Sequence, residues 1–285
     1  MKLGLALPST ARGESGFAPE SIADAARLVE RLGFDGLWYF DAIGRGFLLP
    51  DPLIAVSVAA TVTTRIEVGT CILQLPLRRP AELAHRVLTA HLLCRGRLVL
   101  GVGAGSTRTD FDAVGVDFSE RMRLFHDALT VMRRLWRGEQ VGAADLTPWP
   151  AALGGPPVLI GSWNGERWIP RAAREFDGWI ASGAKTSFAV LADGLKRFRA
   201  AGGKRAIVTN IAVDLTASTT PLEDTAPFHL RCAPDVAAAR LRRVADLGFD
   251  DAVLVPAAPT ESSLAAVRAL LPQGCSLSLP GRGLG

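Results

Sequence analysis

Several large classes of protein need parts that this chain does not have. Its four cysteines, Cys71, Cys94, Cys232 and Cys275, stand far apart, with no CxxC pair and no histidine at ligand spacing. That argues against a structural metal and against a disulfide framework, and it fits reduced thiols in a cytoplasmic protein. No stretch approaches roughly 18 uncharged apolar residues, and the apolar run in residues 1–8 is too short for a signal peptide, so no membrane span is expected. Lysine and arginine do not gather into long runs, and a pI of about 9.2 hides a formal charge of only +4. Nucleic acid is therefore not an expected partner. The dinucleotide fingerprint is also missing, because the glycines of Arg97-Leu-Val-Leu-Gly-Val-Gly-Ala-Gly-Ser106 fall at every second position rather than as G-x-G-x-x-G.

What is present is a repeated alternation. Short apolar runs at 3–7, 36–40, 66–72, 98–102, 157–160, 178–181, 206–213 and 252–255 read as buried strands. Amphipathic segments at 19–32, 51–62, 80–93, 119–136, 166–176, 187–201, 234–247 and 262–271 read as the helices between and after them. Ser119 is the expected N-cap of the longest helix, with Met122, Phe125, Leu129, Met132 and Trp136 on its apolar face. Residues 138–156, rich in Gly, Ala and Pro, read as a loop. Leu32-Gly-Phe-Asp-Gly36 and Leu247-Gly-Phe-Asp-Asp251 echo each other as helix-to-strand turns. Each return to the same sheet edge needs a crossover helix, so the strands pair in parallel, and eight of them close naturally. The expected architecture is α/β, a (β/α)8 TIM-like barrel forming one domain over residues 1–280, with 281–285 as a flexible tail.

In such a barrel the site is built from loops at the carboxyl ends of the strands. These loops carry Pro8-Ser9-Thr10, Asp41, Gln74, residues 103–112, Gly161-Ser-Trp-Asn-Gly165 and Ser182-Gly-Ala-Lys185. No histidine pair, no cysteine beside a histidine and no carboxylate cluster falls among them, so no metal site is expected and covalent nucleophilic catalysis lacks its parts. The fifth loop, leading into a helix, reads either as an anion site or as a helix cap supplied by Ser162 or Asn164. Ser182 and Gly183 add small donors beside it. Asp41, at a strand tip, is the leading acid, against a turn-forming role; Asp110 and Asp112 follow in the fourth loop. Arg78 and Arg79 read as surface charges beside Pro80, and His85, His91 and His126 as structural residues within helices. Trp163 and Trp168 would either wall a planar ligand or pack in the shell. Lys185 as a Schiff-base amine, the aldolase alternative, is disfavoured because its loop would leave it solvated and protonated.

Taken together, Leu32-Gly-Phe-Asp-Gly-Leu-Trp38 before Asp41, Val68-Gly-Thr-Cys-Ile72, Arg95-Gly-Arg-Leu-Val-Leu-Gly-Val-Gly103, Glu120-Arg121 leading to Val131-Met-Arg-Arg-Leu-Trp136, and Ala172-Ala173 before Phe176-Asp-Gly-Trp179 resemble the luciferase-like monooxygenase family. That family includes bacterial luciferase-type flavin enzymes and oxidoreductases that use the deazaflavin coenzyme F420. The resemblance implies a cofactor at the carboxyl face and a non-proline cis peptide with a bulge in the third strand, here at Cys71-Ile72. It implies Thr70, Cys71 and Ile72 against the cofactor ring, Gly103 for close backbone approach, and Gly161, Ser162, Ser182 and Gly183 at the phosphate. Many deazaflavin members carry His after the second-strand Asp, whereas this chain has Ala42, and its lid segments are short. The run Ile180-Ala-Ser-Gly-Ala-Lys185 resembles deazaflavin-dependent dehydrogenases. The expected activity is F420-dependent hydride transfer to or from a small organic substrate, with Asp41 or Asp110 orienting it or moving a proton. The alternatives are a reduced-FMN monooxygenase and a non-catalytic cofactor-binding homologue. A homodimer packed through the early helices is the assembly that the resemblance implies.

Overall fold

The computed structural model describes residues 1–7 and 20–271. Pro8, Ser9, Thr10, the expected helix start at Pro19, Cys275 and the expected tail lie outside the described residues. In chain order the elements are β1 (Lys2–Ala6), α1 (Glu20–Arg31), β2 (Gly36–Tyr39), α2 (Pro52–Val62), β3 (Glu67–Gln74), α3 (Pro80–Cys94), β4 (Leu98–Gly103), α4 (Arg108–Asp112) and α5 (Arg121–Trp136). They continue with β5 (Val158–Gly161), α6 (Trp168–Glu175), β6 (Gly178–Ser182), α7 (Phe188–Ala200), β7 (Arg205–Asp214), β8 (Leu230–Arg231), α8 (Pro234–Leu247), β9 (Asp251–Pro256) and α9 (Glu261–Ala269). Every strand pairing is parallel, and the ring closes from β1 through β6 to β7, then β9, and back to β1. The molecule is therefore a closed eight-stranded parallel barrel of the TIM type, with β8 a two-residue addition beside β7.

Two apolar layers explain why the strands read as unbroken apolar runs: each is buried on both faces. Inside the ring, each barrel strand contributes one residue to a compact cluster: Ala6, Trp38, Cys71, Val99, Leu159, Ile180, Ile207 and Val253. The larger shell between strands and helices holds the remaining core, including Phe34, Phe125, Trp136, Phe198 and Phe249. Trp38 dominates the interior. Its indole occupies space left by three glycines: a Cβ would stand 2.9 Å from Nε1 at Gly4, 3.0 Å from it at Gly36, and 2.5 Å from the ring at Gly69. Below it, Arg205 ties Glu67 at 2.6 Å to Asp251 at 2.9 Å, closing the amino-terminal end with charge.

The echoed turns have a common mechanism. Gly33 (φ 82°) and Gly248 (φ 99°) take the left-handed conformation that ends a helix. The aspartate two residues later then accepts the main-chain N–H that opens the neighbouring strand: Asp35 from Leu3 at 2.9 Å and Asp250 from Ala206 at 2.7 Å. Asp177, in Phe176-Asp-Gly178, does the same for Val158 at 2.7 Å.

Some boundaries differ from those expected. Ser119 does not cap α5, because Asp117 accepts its N–H at 2.8 Å and forms a separate turn before the helix starts at Arg121. Met122 consequently faces the top of the barrel, not the shell. The short α4 and the addition β8 carry no periodic apolar signal of their own. Among the described residues, no helix is long and apolar enough to cross a membrane.

Candidate functional site

The strand ends converge on one cavity of about 550 Å³ at the carboxyl face. Its floor is made by β3. The Cys71–Ile72 peptide is cis, and the β3–β4 register slips between Thr70 and Leu73, the bulge implied by the resemblance. Ile72 lies across two glycines: a Cβ would come within 2.6 Å of its side chain at Gly103 and within 2.7 Å at Gly161. Side chains on those strands would lift Ile72 off the wall, so the glycines keep the floor flat. Burial pushes the Cys71 thiol up, and it stays neutral. Phe40, Phe118, Phe125, Trp163 and Trp168 supply aromatic walls.

Seven of the ten expected site residues line this one cavity: Asp41, Cys71, Ile72, Gly103, Gly161, Ser162 and Ser182. Thr70, Gly183 and Asp110 stand behind the lining. Thr70 is fully buried and donates to the Gly101 carbonyl at 2.6 Å, while Gly183 accepts from Phe228 N–H at 3.0 Å.

The two candidate acids are held by the chain itself. Asp41 takes a two-pronged ion pair from Arg78 at 2.6 and 2.9 Å, and its Oδ2 also accepts the Gln74 N–H at 2.8 Å. Arg78 is therefore not the surface charge expected beside Pro80; its guanidinium is almost wholly buried because Asp41 and Asp51 both face it. Asp110 is fully buried. Its Oδ1 accepts from Ile43 N–H at 3.1 Å and Gly44 N–H at 2.9 Å, and its Oδ2 from Arg45 at 2.8 Å and Gln74 Nε2 at 3.0 Å. Burial pushes this carboxyl up, but Arg45, Gly44, Gln74 and Ile43 outweigh it and hold Asp110 below the ordinary carboxylate range. A carboxylate stabilised by so many donors is a poor base. Of the helical histidines read as structural, His91 has a buried Nδ1 with no partner.

The end of the cavity where the resemblance implies a phosphate is built from β5 and β6. Ser162 Oγ accepts from Gly165 N–H at 3.2 Å, a bond inside the loop; neither Ser162 nor Asn164 caps α6, whose first residues follow Arg167 with no side chain capping them. The loop turns once more before α6 begins at Trp168, two residues beyond the expected start. Ser182 differs: its Oγ is buried with no hydrogen-bond partner although it lines the cavity. Lys185 rests over the Trp163 ring at 5.5 Å, and Arg121 over Phe118 at 4.1 Å. Neither has a carboxylate partner among the described residues. A flat apolar floor, an unsatisfied hydroxyl and two uncompensated cations fit a planar ligand bearing a phosphate. Among the described residues, no group of three or more His, Cys, Asp or Glu could hold a metal ion.

Arg45, Arg121 and Asn210 also line the cavity, and residue spacing did not single them out. Asn210 had a visible mark: it is the one amide inside the apolar run Ile207-Val-Thr-Asn-Ile-Ala-Val213. It sits at φ 55° where the β7–β9 register slips between Val208 and Ile211. Asparagine tolerates that conformation better than its β-branched neighbours.

A closed parallel barrel with its cavity at the carboxyl ends of the strands defines a TIM-barrel protein, and that rim is where barrels of this type carry their sites. Residues 1–226 match the luciferase-like monooxygenase family model, and the chain belongs to that family. It is 29% identical over 187 residues to the F420-dependent glucose-6-phosphate dehydrogenase of Kineococcus radiotolerans, covering 59% of this chain and 54% of that protein. The chain spans about a third to a half of the length of the curated relatives it matches. Among solved structures, the monooxygenase RslO1 from Streptomyces bottropensis superposes with a TM-score of 0.78 at 20% identity, over 95% of this chain and 97% of that one. The oxygenating constituent of 3,6-diketocamphane monooxygenase from Pseudomonas putida, solved with FMN, gives 0.72 at 16% identity, over 94% and 95%. The family thus joins F420-dependent and flavin-dependent oxidoreductases on this fold.

Proposed function

We propose that the chain is an F420-dependent oxidoreductase that transfers a hydride between the deazaflavin and a small organic substrate. The supporting observation is the end of β6, where Ile180-Ala-Ser-Gly-Ala-Lys185 brings an unpartnered Ser182 hydroxyl and an uncompensated Lys185 to one wall of the cavity. Cation and hydroxyl suit the phosphate and acidic tail of that cofactor. When bound, the deazaflavin supplies the two-electron chemistry itself.

The chain's own contribution is placement. Ile72, Gly103 and the cis peptide offer a flat support for the ring, Ser182, Gly161 and Lys185 hold the phosphate, and the aromatic walls exclude water. Asp41 and Asp110 act as positioning groups, fixing Arg78, residues 43–45 and Gln74 around the mouth. Most of the rate then comes from proximity, with little acid–base assistance.

A second reading, a reduced-FMN monooxygenase, is favoured by Ala42: it stands where many deazaflavin members carry histidine. Titrating purified protein with each cofactor by fluorescence quenching separates the two. F420 binding is expected; tight FMN binding with no deazaflavin response overturns the first reading.

A further inference from the structure

Gln74 closes β3, three residues past Cys71, and lines the cavity although its side chain is only 2% exposed. Its amide nitrogen is committed twice, to the Asp41 carbonyl at 2.9 Å and to Asp110 Oδ2 at 3.0 Å. Those two acceptors decide which way round the amide sits. Reversed, it would press Oε1 against a carbonyl and a carboxylate oxygen, neither of which donates. Asp110 is itself locked by Arg45, Ile43 and Gly44, so the orientation is set from behind the wall. Oε1 is left buried without a donor. A side chain at Gly105 would collide with that oxygen, so only glycine leaves room for the amide in this orientation. Buried amide oxygens are rarely left unpaired, because each has given up its hydrogen bonds to water.

We propose that Gln74 Oε1 accepts a hydrogen bond from an N–H or O–H of the bound ligand and so selects ligands carrying a donor at that point. The donor has two sources of the same chemistry. One is the ring imide N–H shared by flavins and deazaflavins, which rests on the cofactor reading above; the other is a hydroxyl of the organic substrate. Asp110 is a positioning residue in this scheme, since it orients the amide without touching the ligand.

The test compares wild type with Gln74→Met and Gln74→Lys. Lysine keeps donors toward Asp110 and Asp41 and has no acceptor; methionine has neither. In one arm, whichever of FMN and F420 binds is compared with its N3-methylated analogue by fluorescence quenching. In the other, phenol is compared with anisole by calorimetry. Wild type should prefer the donor-bearing member of one pair by roughly three- to tenfold, the effect of one ordinary hydrogen bond. Both variants should bring that ratio to near unity while changing the affinity for the methylated member little. A response in the first arm assigns the donor to the cofactor, and in the second to the substrate. A wild type indifferent in both pairs, or a preference that survives both substitutions, overturns the proposal. If neither FMN nor F420 binds wild type, the cofactor reading fails instead, and the phenol pair still decides the role of Gln74.

Discussion

Arg78 and Asp41 meet almost out of reach of water, and single residues of this kind set what the site tolerates. Removing one member of a buried pair strands the other charge, so Asp41→Asn or Arg78→Met should each cost about 3 kcal/mol in urea unfolding. The double variant should lose less than the sum of the two. Asp110 adds a pH signature. Its folded value lies below the ordinary 3.8, so its stabilising contribution is fully present above that value and lost as pH falls through the folded value. Stability measured against pH should drop in strong acid, and Asp110→Asn should flatten that limb while lowering stability at neutral pH. Gly161→Ala should displace Ile72, weakening cofactor binding more than stability, as read by quenching alongside urea melts. At this scale the sequence was partly legible. Small residues at strand ends, such as Ser182 and Gly161, could be placed by position alone. Arg78 could not, because its burial depends on Asp41 arriving from another strand, and an arginine beside a proline carries no trace of that.

The helices and strands were easier to read. Their apolar periods matched their burial, and the boundaries mostly fell where glycine, proline or a cap dictated. Asp51 illustrates the local rule: it precedes Pro52 and accepts the N–H groups of Leu53 at 2.9 Å and Ile54 at 3.2 Å. Asp51→Ala should cost about 1 kcal/mol from the lost cap, seen as a lower unfolding midpoint. The misplaced start of α5 has a related cause: Asp117 accepts the Ser119 N–H and caps a separate turn, so α5 opens at Arg121 with no side chain capping it. The short elements α4 and β8 escaped notice because five and two residues are too few to display a period.

On the scale of the whole molecule, eight alternations made parallel pairing legible and closure the natural solution, and the ring of strands bears this out. Assembly is a proposal: Ile54 on α2 and Leu93 on α3 are exposed apolar residues on early helices, and we expect them at a homodimer contact. Ile54→Glu should shift the mass measured by sedimentation toward the monomer. The interior offers a sharper consequence. With Trp38 filling the ring beneath the site and the charged trio of Arg205, Glu67 and Asp251 below it, the chamber is a cul-de-sac with its door at the rim. Whatever rests on Ile72 must arrive before its co-reactant and can leave only after it. Steady-state kinetics should therefore show a compulsory sequence, cofactor leading, and a random order would mean that a second passage exists.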